Sequence, residues 1–120
     1  MKLETQVSNL ELSKKLEELG VEQDSLWYWI LGSGNETDYT LELGNLIRIE
    51  GELEKIDGVS AFTVAELGEM LPNAMTLTRR AVDGQWLYHN SDGESLYADT
   101  EANARAKCLI YLIENKVIEL

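Results

Sequence analysis

A chain with one histidine, His89, and one cysteine, Cys108, has little with which to build a catalytic or metal centre. A single imidazole rules out a histidine metal cluster. The one nucleophile–base pairing open to it is a Cys108 thiolate activated by His89. Cys108 falls in the apolar part of ARAKCLIYLI (104–113), where a buried, inert thiol is the expected state. GSGN (32–35) lacks the lysine and the strand–helix context of a phosphate loop. Asp92-Gly93 suggests a calcium loop, but aligning that glycine puts Tyr88 at the first ligand position. Asn35-Glu36-Thr37 is a glycosylation sequon, which matters only in a secreted protein. Glu50, Glu52 and Glu54 are paired carboxylates in a chain with 22 acids, where a solvated face is the ordinary outcome. The inventory therefore predicts no catalytic residue, no metal, no cofactor and no enzyme.

SLWYWIL (25–31) is the remaining candidate for binding. In a strand, Leu26, Tyr28 and Ile30 point one way and Trp27, Trp29 and Leu31 the other. Both faces are apolar, as in a strand covered on both sides. Stacking on a base or sugar is the functional alternative. No basic residue flanks the stretch, and a net charge of −12 repels nucleic acid and anionic membrane, so core packing or self-association is the stronger reading. At least one of Trp27 and Trp29 is expected to be well buried.

The elements that must position this stretch are marked locally. In VSNLEL, Ser8 and Glu11 fit a capping box with Val7 and Leu12 as its staple, opening a helix over Asn9–Leu19 that Gly20 ends. In FTVAEL, Thr63 and Glu66 take the same roles with Phe62 and Leu67, opening a helix over Val64–Leu71 before Pro72. Gly68 inside this helix requires support from packing. TEANARAKCLIYLIENK (100–116) and the residue after it carry Ala102, Ala106, Leu109, Ile113 and Val117 at helical spacing, a stripe widened by Ile110 and Leu112, and the helix is capped by Asp99 or Thr100. Its second half is apolar nearly all round, so it should be the most buried helix.

Between helices the period changes to two. MTLTRRAVDGQWLYHN (75–90) reads as a hairpin with a two-residue turn at Asp83-Gly84. That register sets Arg79 against Tyr88 and puts Trp86 and Tyr88 on the core face, with Leu87 on the half-solvated one. YTLEL (39–43) is the return partner of the aromatic strand. NLIRIEGELEKIDG (45–58) fits a helix through Leu46, Ile49, Leu53 and Ile56 and a strand through its alternation; an irregular strand is the expectation. The fold expected is α+β, order α-β-β-α-β-β-α, with a mainly antiparallel sheet of two hairpins and three helices on one face.

The length of 120 residues and 44% hydrophobic content suit one domain, 1–120, with one core. No membrane span is expected. MKLETQVSN lacks a signal peptide's apolar stretch, and one cysteine suits a reducing cytoplasm.

AFTVAELGEMLP (61–72), LELSKKLEELGV (10–21) followed by LWYW, and DTEANARAKCLIYLIEN (99–115) resemble a family of small uncharacterised proteins carried by phages and prophages. Segment 32–60 lies outside that resemblance and reads as an insertion. The resemblance implies a mobile-element origin and a bacterial cytoplasm, and no catalytic residue transfers with it. The leading expectation is a protein-binding module; the alternative is an acidic inhibitor that mimics DNA toward a nucleic-acid-binding host enzyme. A homodimer through Trp27, Trp29 and Leu31 is predicted, unless residues 44–60 fold back to cover that face.

Overall fold

The computed structural model describes residues 2–31, 38–44, 46–55, 58–72, 77–80, 84–89 and 95–119; for 46–49, 53–55, 77–80, 88, 89 and 95 the description is of the backbone. The sequon, the GSGN segment, Asp83 and Asp92-Gly93 lie outside the described residues.

The class is α+β, with three α-helices and antiparallel strand pairing throughout the described residues. A short 3-10 turn (Leu3–Thr5) precedes α1 (Leu10–Glu18). Five strands follow: β1 (Trp27–Leu31), β2 (Tyr39–Leu43), β3 (Leu46–Ile49), β4 (Glu52–Lys55) and β5 (Gly58–Ala61). After α2 (Val64–Met70) come β6 (Leu77–Arg80), β7 (Trp86–His89), β8 (Ser95–Ala98) and α3 (Glu101–Glu114). The strands form sheets in the orders β2-β1-β5 and β6-β7-β8, with β3-β4 as a separate ribbon. The strands beyond the two expected hairpins are β3, β4, β5 and β8. Each has only four residues, and Gly58 and the serines at 60 and 95 dilute the apolar alternation that marks a strand.

Two sheets form in place of one because β1 already has a partner on each side and the far edge of β5 is closed. Ser60 N–H donates to Gln23 Oε1 (2.8 Å), and Phe62 N–H donates to Ser8 Oγ (3.0 Å). Ser8 N–H in turn donates to Phe62 O (2.8 Å), and Val7 bridges Thr63. The segment 32–60 thus supplies β2 and part of β5, the two neighbours of the aromatic strand.

Helix ends follow the expected chemistry with one correction. α1 is capped by Asn9, whose side chain accepts from Leu12 N–H, and not by Ser8, whose hydroxyl is drawn into the contact with Phe62. Gly20, at φ +93°, closes α1 with the Gly20 N–H to Glu17 O and Val21 N–H to Leu16 O bonds of a Schellman motif. The Thr63/Glu66 capping box is present, and Thr100 caps α3. Lys116, at φ +58°, closes α3 with the same pair of bonds, where glycine is the usual residue.

The core joins Leu16, Val21, Phe62, Leu67 and Leu71 to Ala102, Ala106, Cys108, Leu109, Ile110 and Leu112. α3 is central: it packs on α1, on α2 and on all three strands of the β6–β8 sheet, while α1 also packs on β5. Gly68 leaves room for Arg105, whose Nη1 would stand only 2.7 Å from a Cβ at that position; Arg105 is paired with Glu101 at 3.0 Å. No helix among the described residues is long and apolar enough to cross a membrane.

The hairpin registers correct two expectations. Arg80 pairs with Trp86 and Arg79 with Leu87, where the expected register set Arg79 against Tyr88, so the strands are displaced by one residue; the turn itself lies outside the described residues. The one-residue slip moves side chains to the opposite face, and Leu87 is buried while Trp86 is half-buried. A two-residue turn occurs at Glu50-Gly51, between the paired Ile49 and Glu52, with φ of +50° and +84° as a type I′ turn requires.

Candidate functional site

The aromatic stretch begins with a loop that turns on Tyr28. Tyr28 O–H donates to Gln23 O and accepts from Ser25 N–H, and Ser25 Oγ donates to Trp27 O (2.8 Å). Tyr28 and Ile30 are buried on one face of β1. The register places Trp27 and Trp29 on the other face with Leu41, Leu43, Val59 and Ala61.

The predicted trio of Trp27, Trp29 and Leu31 divides into three environments. Trp29 is half-buried, and its indole N–H donates to Ser8 O at 3.0 Å. Lys14 of α1 stands 4.7 Å above the ring of Tyr39, which pairs with Leu31. The N-terminal segment and α1 therefore lie on this face and hold Trp29. Leu31 is 40% exposed. Trp27 is half-buried and opens into a cleft. Both tryptophans are thus largely covered, Trp29 beside Ser8 and Trp27 at the wall of the cleft, and neither reaches full burial.

The cleft, of about 710 Å³, lies between the N-terminal segment, the first residues of α2 and α3, and the start of β7. Trp27 from one sheet and Trp86 from the other both line it, with Thr63, Thr100, Asp99 and Glu101. The threonines are the two helix caps, accepting from Glu66 N–H (3.2 Å) and Asn103 N–H (3.1 Å). Asp99 Oδ1 accepts from Asn103 Nδ2 (2.9 Å), and Asn103 Oδ1 accepts from Asn9 N–H (2.8 Å). This buried asparagine ties the rim of the cleft to the start of α1. Glu101 is held by Arg105.

Its described lining has two indoles and two carboxylates, and neither a histidine, a cysteine nor a basic residue. That set suits a cationic guest, because indole faces attract cations and Asp99, with Glu101 already held by Arg105, supplies the carboxylate for the charge match. Cys108 is fully buried in α3, inside the core. Among the described residues no group of three His, Cys, Asp or Glu side chains is placed to hold a metal ion.

Sequence reasoning found Trp27 but assigned Trp86 to the core and gave Asp99 and Thr100 only a capping role. The available signal was the surplus of large aromatics on strands with short apolar partners. Their convergence is a tertiary fact that no local pattern carries. Compared with protein-family models, curated proteins and solved structures, the chain matches none of them.

Proposed function

We propose that this chain is a non-catalytic protein-binding module that takes a basic side chain of its partner between Trp27 and Trp86. The observation that carries this reading is the pair of half-buried indoles, from separate sheets, lining one cleft with Asp99 and Glu101. Tryptophan and arginine are over-represented among the residues that dominate binding energy, and a net charge of −12 favours approach of a basic protein. The resemblance of 10–21, 61–72 and 99–115 to phage and prophage proteins supports a bacterial cytoplasm as the place of action.

The second reading is the DNA mimic, favoured by the exposed Glu17, Glu18, Glu22 and Asp24 at and beyond the end of α1. Affinity capture from bacterial lysate separates the two. Wild type and the Trp27→Ala/Trp86→Ala variant are compared at moderate and high salt, with circular dichroism confirming that both are folded. The module retains a partner that survives high salt and is lost from the double variant. A partner lost at high salt but indifferent to the tryptophans would reject the cleft and favour the mimic, since spaced surface charges are screened beyond about 10 Å at 0.1 M salt.

A further inference from the structure

The two edges of the β2-β1-β5 sheet are treated differently. In an antiparallel pair, hydrogen-bonded residues alternate with non-bonded ones. Gly44 N–H donates to Leu26 O (2.8 Å), so Glu42–Tyr28 and Thr40–Ile30 are the bonded pairs that continue the ladder. Tyr39, Leu41 and Leu43 must then turn their N–H and C=O groups away from β1. The same alternation across β1 turns Ser60 and Phe62 outward on β5, and there Gln23 and Ser8 satisfy them. On β2 no such cap occurs among the described residues. An open edge with apolar side chains is a template for another strand.

We infer that β2 pairs antiparallel with β2 of a second copy of this chain, on a two-fold axis at Leu41; this rests on the sheet edge and not on the cleft. For a second copy, the charges of β2 select the register. Centring the axis on Thr40 would set Asp38 against Glu42, and centring it on Glu42 would set that carboxylate against its own copy. Like charges directly opposite destabilise a pair. Centring on Leu41 sets Glu42 against Thr40 and Asp38 against Gly44, and makes Leu41–Leu41 and Tyr39–Leu43 the bonded pairs. The outward-turned residues thus meet one another, as a bonded ladder requires. Leu43, 68% exposed, gains the neighbouring Tyr39 of the second copy as cover. The two sheets join as β5-β1-β2-β2-β1-β5, which closes the edge by an isologous contact.

Thr40 is exposed and its hydroxyl donates to Glu42 Oε1 (3.2 Å) on the same strand, so each Thr40 variant tests the register once circular dichroism confirms that it is folded. Sedimentation of wild type should give twice the 13.5 kDa chain mass at tens of micromolar. Thr40→Glu, which opposes Glu42 at two symmetric positions, should weaken the dimer about tenfold. Thr40→Lys should tighten it by a similar factor. Leu41→Cys should form a disulfide with itself under mild oxidation, because bonded antiparallel partners stand about 5.5 Å apart at Cα. A 13.5 kDa species throughout, a dimer indifferent to both Thr40 variants, or a Leu41→Cys protein that stays uncrosslinked would each overturn the inference.

Discussion

Replacing Phe62 by alanine should lower stability by about 3–5 kcal/mol, as expected for a phenylalanine whose removal leaves a cavity. Phe62 is fully buried, and it sits where the first sheet passes into α2. Its backbone N–H and C=O are bonded to Ser8, and its side chain belongs to the cluster that includes Leu16, Leu67 and Leu109. Loss of the ring removes contacts to α1, α2 and α3 together, so the site cannot collapse onto a single neighbour. Against a total of about 5–15 kcal/mol for a native domain, this is a large fraction. Urea denaturation read by tryptophan fluorescence checks it. A loss below about 1 kcal/mol, the scale of an ordinary point substitution, would mean that the three helices do not share this core.

Ser8→Ala should cost about 1–3 kcal/mol, the penalty for leaving a buried donor unsatisfied. The Ser8 hydroxyl accepts from Phe62 N–H and is 2.7 Å from the Ser13 hydroxyl, and both serines are fully buried. Ser13→Ala makes the control. Ser13 donates to Ser8 O (3.1 Å) and satisfies no backbone N–H through its hydroxyl, so its loss should be the smaller of the two. Equal losses, measured by the same denaturation, would place the importance of the pair in packing and not in closure of the β5 edge.

Ser8 also shows where sequence reading reached its limit. Ser8 and Asn9 are both good N-caps, and a capping box at Ser8 was the better local pattern. The tie is broken by Phe62, far away in the chain, which claims the Ser8 hydroxyl. Where the competing partner is itself local, the reading holds: the Thr63 box, the Gly20 stop and the apolar face of α3 were legible because three or four residues decide each. Asp-Gly was a strong signal for a two-residue turn, yet the observed register there is displaced by one residue. Glu50-Gly51 forms that turn with a glutamate in a conformation that favours asparagine, so its signal was weak. Half of the candidate cleft was legible. Trp27 stands in a conspicuous run, whereas the approach of Trp86 depends on two sheets being joined through α1 and α3.

The cleft is tested most directly by the indole N–H signals of the three tryptophans in a proton–nitrogen correlation spectrum. Trp29 serves as the internal reference, because its N–H is bonded to Ser8 O outside the cleft. The probe is an acetylated tri-arginine amide, with the corresponding tri-glutamate as control. The Trp27 and Trp86 signals should move together along one saturable curve with tri-arginine while Trp29 stays in place, and tri-glutamate should move none of them. Stationary Trp27 and Trp86 signals, or shifts that spread without saturation over the exposed acids, would contradict a cationic guest in the cleft.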